Sequence, residues 1–432
     1  MAQPADPMSD PAHAAPGLAA DPGKAHAADP PAHPAPRFLD RRTPPHVVTL
    51  VIFAGLSAMT MNVFLPSLPA MAAHFGVEYG LMQLSVALYL GISAVLQIVI
   101  GPLSDRFGRR PVVLGAIVLF MLATLGCLLA SSAWVFLFFR MAQAVIVTCM
   151  VLSRAIVRDM VDGARAASMI GYVTMGMALV PMLSPAIGGA LQEWFGWQAS
   201  FVLLLAAGAL VFALAWADQG ETARRHAGGL AAQLRQMPTL LASLRFWGYA
   251  LTAALCAGAF FAYLGGGPFV GAEVYGLSPA ALGLHFGAPA VGYALGNYLS
   301  GRWSVRLGID RMVMLGTLLC TGGLALSLAL TLGGAASVKT FFALMCFVGV
   351  GNGLVIPNAT AGMLSVNPRL AGTASGLGGA IMVGGGAALS ALAGAMLGPG
   401  SGAAPLLWIM FGSALASVVT MLLLRRIVAR AR

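Results

Sequence analysis

Gly101-Pro102-Leu103-Ser104-Asp105-Arg106-Phe107-Gly108-Arg109-Arg110-Pro111 sets one carboxylate among three arginines, between two long apolar runs. Two hundred residues later the pattern returns. Gly301-Arg302-Trp303-Ser304-Val305-Arg306-Leu307-Gly308 repeats Gly, Ser, Arg and Gly at matching positions, again just after an apolar run. A repeat at a fixed offset signals two copies of one structural unit. Both copies are short basic turns between apolar segments.

The apolar segments account for most of the chain. Of 432 residues, 59% are hydrophobic and only 9% charged, and the mean hydropathy is +0.86. A soluble domain carries roughly 25% charged residues, so this chain has too few to cover a water-facing surface. Apolar stretches fall at 47–70, 81–102, 111–131, 134–157, 167–191, 198–217, 247–270, 279–301, 311–333, 340–360, 371–397 and 404–424. Each is long enough for a helix to cross a hydrocarbon core of ~30 Å. They are apolar all round rather than alternating, which excludes a transmembrane β-barrel.

The expectation is an all-α polytopic membrane protein with 12 transmembrane helices in two six-helix halves, 46–217 and 247–432. A cytoplasmic central loop, 218–246, separates the halves. Arg224, Arg225, Arg235 and Arg245 lie in it beside Leu230, Leu234, Leu240, Leu241 and Leu244, a mixture suited to an amphipathic helix on a leaflet. Residues 1–45 are rich in Ala, Pro, Asp and His and have no apolar run, so a disordered cytoplasmic tail is expected.

The net charge of +10 does not point to a nucleic acid. Of the 24 basic residues, 22 fall on alternate connections; the exceptions are Lys339 on the other side and Arg140 inside a span. This is the positive-inside pattern, with both termini cytoplasmic. Cys127, Cys149, Cys256, Cys320 and Cys346 sit within spans without metal-ligand spacing. A phosphate-binding loop of the GxxxxGK[ST] type needs a lysine. Neither Lys24 nor Lys339 is in that context, and Gly349-Val350-Gly351-Asn352-Gly353 follows no strand, so it reads as close helix packing. No cofactor, metal cluster or catalytic triad is expected, and no enzyme.

The 101–111 stretch is similar to the GxLxDRxGRRP signature of the major facilitator superfamily. Its glycines suit a tight turn, Asp105 is placed to accept from a helix N-terminus, and Arg109 to pair with Asp159. Gly101, Asp105, Gly108, Arg109 and Asp159 are therefore the candidate latch. Arg140-Met141-Ala142-Gln143-Ala144 resembles the superfamily's RxxQG motif, with Ala144 for glycine. A charge at that depth costs on the order of 2.5–3.5 kcal/mol on insertion scales, so it needs a wet cavity or a partner. Gly171 with Ser184-Pro185-Ala186-Ile187-Gly188-Gly189 resembles the antiporter motif ending GPxxGG. Met61-Asn62-Val63-Phe64-Leu65-Pro66-Ser67-Leu68-Pro69 resembles the DMYLPALP stretch of the bicyclomycin/chloramphenicol-resistance (Bcr/CflA) subfamily. Arg154-Ala155-Ile156-Val157-Arg158-Asp159, Gly196-Trp197 through Phe201 and Ala371 through Ser375 match that subfamily too.

The resemblance implies the major facilitator fold, multidrug efflux from the inner membrane by drug:proton antiport, and a cavity lined by the first, fourth, seventh and tenth spans. Its candidate lining is Asn62, Phe64, Arg140, Gln143, Phe260, Phe261, Tyr263 and Asn352. The glycines of span eleven suit close approach between the halves. One chain supplies both halves, so a monomer is expected, with a small-molecule drug or metabolite, protons and the lipid bilayer as partners. One departure matters. Asn62 stands where the subfamily stretch has aspartate, and none of the fourteen acidic residues lies mid-span. Protons would then have to use a rim acid, Asp105, or His285, whose type titrates near 6.5. Arg140 is left without a neighbouring carboxylate, which disfavours lipophilic cations and suits neutral or anionic cargo. Export or facilitated passage of a small metabolite is the alternative.

Overall fold

The computed structural model describes residues 36–160, 169, 180–181, 183–223, 237–367 and 370–430. Every described residue belongs to one compact unit, Ala35–Arg432. Among the described residues there is no strand. The helices are α1 (Val47–Asn62), α2 (Leu68–Phe75), α3 (Tyr79–Phe107), α4 (Arg109–Leu128), α5 (Ala133–Ala142) and α6 (Val147–Met160). Residues 183–195 form α7. Then follow α8 (Gln198–Asp218), α9 (Leu244–Phe269), α10 (Pro279–Phe286), α11 (Ala288–Leu307), α12 (Ile309–Leu332), α13 (Val338–Leu364), α14 (Ala371–Met396) and α15 (Ala404–Arg430). Among the described residues, ten continuous or stacked spans are long and apolar enough to cross a membrane. The protein is a multi-pass membrane protein. Leu119, Leu122, Leu210, Leu318 and Leu326 are exposed on its flanks, a surface that lipid tolerates and water does not.

Three spans are interrupted, two of them where proline forbids continuity. Pro66 and Pro69 lack the N–H groups that would continue α1, so a 3₁₀ turn at Leu65–Ser67 links it to α2. Pro289 cannot donate to the His285 carbonyl and its ring crowds it, so the eighth span divides at Gly287 into α10 and α11. The fourth span carries its own 3₁₀ turn, Gln143–Ile146, directly after Arg140. The first half of the expected fifth span lies outside the described residues.

The paired signature turns are alike. Gly108 and Gly308 have φ of +95° and +82°, where only glycine is unstrained, and their N–H groups cap Ser104 and Ser304 carbonyls at 2.9 Å each. The expected tight turn is narrower than the motif: Gly101 remains inside α3, and only Gly108 turns the chain. Both turns lie with Arg37, Arg245, Asp218 and Asp310 at one end of the bundle, the basic end.

The tail expectation needs correction. Its last ten residues are held, because the buried Asp218 carboxylate accepts from Leu39 N (2.6 Å), His46 N (2.9 Å) and Thr49 Oγ1 (2.6 Å). Residues 1–35 lie outside the described residues, as do 224–236 of the central loop, where most of the expected amphipathic helix falls.

Candidate functional site

At the basic end, Arg109 joins two helices. Its Nε donates to Asp159 Oδ2 at 3.0 Å and its Nη1 pairs with Asp105 Oδ1 at 2.6 Å, one turn earlier on α3. Nη1 also donates to Ser104 Oγ. The partner of the α4 N-terminus is not Asp105, as expected, but Glu221. Its carboxylate accepts from Arg109 N at 2.8 Å and Arg110 N at 3.2 Å, and also from Thr222 N and Ala223 N. Asp105 is one helical turn from Arg109 and is held by that side chain, which leaves the free amides to the loop after α8. Sequence reading missed Glu221 because the acid and the amides it caps are more than a hundred residues apart.

Arg140 is enclosed. Only 1% of it is accessible, and its guanidinium lies 4.2 Å from the ring centres of both Phe64 and Tyr89. It donates to Gln143 Oε1 at 2.8 Å, Thr60 O at 3.0 Å and Ser85 O at 3.4 Å. Gln143 Nε2 continues the chain to Thr124 Oγ1 at 2.8 Å. Two ring faces and three oxygens satisfy the cation without a carboxylate. Arg140, Gln143 and Phe64 thus belong to the packed interior of the first half, not to an open cavity wall. Asn62 is buried beside them, with Nδ2 donating to Ala58 O at 2.7 Å.

The cleft lies further along the sequence. A cavity of about 210 Å³ is lined by Phe260, Phe261, Tyr293, Asn352, Ile356 and Met382, with smaller residues between them. Three of the eight expected lining residues are there. Tyr263 is not: two residues beyond Phe261 it points about 200° round the helix. It stacks on Phe286 at 4.5 Å and is wholly buried. Asn352 donates to Val348 O at 3.0 Å, which leaves Oδ1 as a buried acceptor without a partner among the described residues. Glycines shape the wall: a Cβ at Gly349 would strike the Pro289 carbonyl, and one at Gly353 would lie 2.6 Å from Tyr293 O.

The antiporter-like motif sits at the end opposite the basic one. Ser184 and Pro185 are buried in α7; added Cβ atoms at Gly188 and Gly189 would collide with the carbonyls of Val63 and Pro279. Gly171 lies outside the described residues. His285 ends α10, with Nδ1 at 2.8 Å from Ala281 O and its ring 5.4 Å from that of Phe342. At the same end, Tyr79 OH donates to Gly265 O and Gln83 Nε2 to Ser390 O, both at 2.6 Å. Each bond runs from α3 to a helix of the second half. The span-eleven glycines make the same crossing: Gly379 faces Gln97 and Gly384 faces Ala94, while Gly386 abuts Phe261.

Comparison with known proteins places this geometry. The profile of the Major Facilitator Superfamily matches residues 50–391 and 267–432. A chloramphenicol resistance protein of Pseudomonas aeruginosa is 32% identical over 329 residues, 76% of this chain and 78% of that protein. Multidrug resistance protein D of Escherichia coli is 28% identical over 85% of this chain and 92% of its own. A bicyclomycin resistance protein homolog of Haemophilus influenzae is 27% identical over 86% and 94%. Among solved structures, the nucleoside transporter NupG superposes with a TM-score of 0.70 at 11% identity, covering 88% of this chain and 99% of that one. An inward-facing, occupied bacterial homolog of the lysosomal transporter Spinster gives 0.64 at 18% identity, over 88% and 94%. These two likenesses speak for the fold alone.

Proposed function

The chain belongs to the Major Facilitator Superfamily, and we propose that it is a multidrug exporter of the bacterial inner membrane, working by drug:proton antiport. Both termini and the basic end face the cytoplasm in this reading, and two six-helix halves rock about the cleft in alternating access. The carrying observation is the cleft itself. Aromatic and aliphatic walls around one unpartnered acceptor, Asn352 Oδ1, suit a neutral amphipathic drug that brings its own donor, of chloramphenicol or bicyclomycin type. The names of the resistance proteins support the same cargo class. Arg109, Asp105 and Asp159 serve as the latch of the basic end, and α7 with Gly188 and Gly189 as the close-packed hinge opposite. Rim acids, Asp105 first, or His285 carry the proton.

One observation favours a second reading, a metabolite exporter or facilitator: Asn62 holds the place of an expected acid and spends its amide on Ala58 O. Everted vesicles from an efflux-deficient host separate the two. With an imposed pH gradient and a lumenal pH dye, chloramphenicol should trigger proton leakage from vesicles that carry the protein. Drug movement without proton movement makes the protein a facilitator. Indifference to chloramphenicol, bicyclomycin and cationic drugs alike contradicts drug export.

A further inference from the structure

Residues 36–46 form a strap against the basic end of the first half, and the strap is sorted by side. Thr43, Pro44 and Pro45 are buried, whereas Arg37, Phe38, Leu39, Arg41 and Arg42 are exposed, Phe38 by 54% and Leu39 by 55%. That exposure is held in place. Leu39 has φ +62°, the only positive φ outside glycine among the described residues, and a bulky side chain is strained there. Asp218 fixes this conformation by accepting from Leu39 N, and Thr43 O accepts from Gly220 N at 3.1 Å. A Cβ on Gly220 would strike the Thr43 carbonyl, so the strap and the chain after α8 touch backbone to backbone. One residue on, Glu221 holds the amides of Arg109 and Arg110. Arg110 in turn donates to Trp216 O at 3.0 Å, with its guanidinium 5.6 Å from the exposed Trp216 ring.

The acids of this rim are spent on backbone donors. Asp40 accepts from Arg42 N at 3.0 Å, Asp218 from Leu39 N and His46 N, and Glu221 from the amides after it as well as those of α4. Among the described residues, Arg37, Arg41 and Arg42 have no ion-pair partner. Three exposed cations therefore flank an exposed apolar pair, at the level where α1 begins and α8 ends. Water suits the arginines but not the pair, and hydrocarbon the reverse. The boundary between phospholipid headgroups and acyl chains suits both.

We infer that the strap is a binding surface for anionic phospholipid in the leaflet at the basic end. Phe38 and Leu39 enter among the acyl chains, and Arg37, Arg41 and Arg42 take the headgroup phosphates. Arginine suits the task, since its planar fork meets a phosphate with two parallel hydrogen bonds. Basic segments beside a span are drawn to anionic lipid in any case. The strap adds a fixed shape to that attraction, and the surface works whichever cargo the cleft takes.

The test reads lipid composition beside the strap in the full chain, reconstituted in vesicles of phosphatidylglycerol and phosphatidylcholine. A bimane on Val48→Cys, exposed in the first turn of α1, is quenched by whichever of the two lipids carries brominated chains. Chains without the added cysteine are the blank. Phosphatidylglycerol should be preferred about fivefold at this position, the effect of roughly one arginine engaged on a headgroup. Arg37→Gln/Arg41→Gln/Arg42→Gln changes only exposed side chains and should abolish the preference. The same triple change should not alter quenching of a bimane on Leu423→Cys, an exposed position of α15. Asp218→Ala removes a negative charge yet should also lower the preference, because it frees the strap. Equal quenching by the two lipids in the native background would overturn the inference. A preference that survives the triple change, or one that falls equally at Leu423, overturns it too. A preference that persists in Asp218→Ala would show loose charge at work rather than a built surface, and overturns it as well.

Discussion

The fourth span carries one enclosed charge, Arg140. Arg140 is structural in its contacts: two rings, two carbonyls and an amide oxygen. Arg140→Ala should cost about 3 kcal/mol or more, since it removes two desolvated cation–π contacts and orphans their polar partners. The expected outcome is a clear fall in melting temperature in detergent, with Arg140→Lys failing to rescue it, because an ammonium cannot reach that planar set of acceptors. Arg140 was legible in the sequence as a charge that needed partners, but its partners were not. Phe64, Tyr89, Thr60 and Ser85 come from α1, the turn after it and α3, and only packing brings them to Arg140. Asp218→Ala should release residues 36–46, and trypsin should then cut at Arg37, Arg41 and Arg42 at least several-fold faster than in the native chain. Three carboxylate-accepted bonds are lost there, each worth about 1 kcal/mol or more.

Helices were the most legible level, since apolar length and charge placement both recur in the chain. Span boundaries moved by a few residues, and the main surprises were internal breaks. Pro66, Pro69 and Pro289 were visible as letters, yet a long apolar run hides how a proline divides it. Glycine pairing was legible as close packing but not in its partners: Gly349 and Gly353 of α13 meet Pro289 and Tyr293 of α11. Gly188 of α7 meets a backbone carbonyl, which cannot yield as a flexible side chain can. Gly188→Ala should therefore stop drug transport while the protein still reaches the membrane, as read by immunoblot of the membrane fraction beside drug uptake. Normal transport by Gly188→Ala would show that α7 and Val63 do not stay in contact through the cycle.

Across the whole molecule, neutral hydrogen bonds and glycine contacts hold the end opposite the basic one, and ion pairs hold the basic end within the first half. Tyr79 and Gln83 reach from α3 to α9 and α14, so weakening them should favour opening there. In Tyr79→Phe/Gln83→Leu, a cysteine placed at Leu397 should react with an impermeant maleimide several-fold faster than in the native background. The two-half plan was legible from the 200-residue repeat of Gly, Ser, Arg and Gly, because duplicated turns keep duplicated capping bonds. The cleft was only half legible: Phe260, Phe261 and Asn352 were named, while Tyr293 and Met382 enter through helix crossings that no local pattern encodes. The central claim is that this cleft carries neutral amphipathic drugs across the membrane. Uptake of labelled chloramphenicol by proteoliposomes holding the purified chain tests it most directly. The account predicts saturable uptake, driven by a pH gradient and reduced about tenfold or more by Asn352→Leu, which removes the unpartnered Asn352 Oδ1 acceptor. Uptake no greater than in protein-free liposomes, or uptake indifferent to Asn352→Leu, would contradict it.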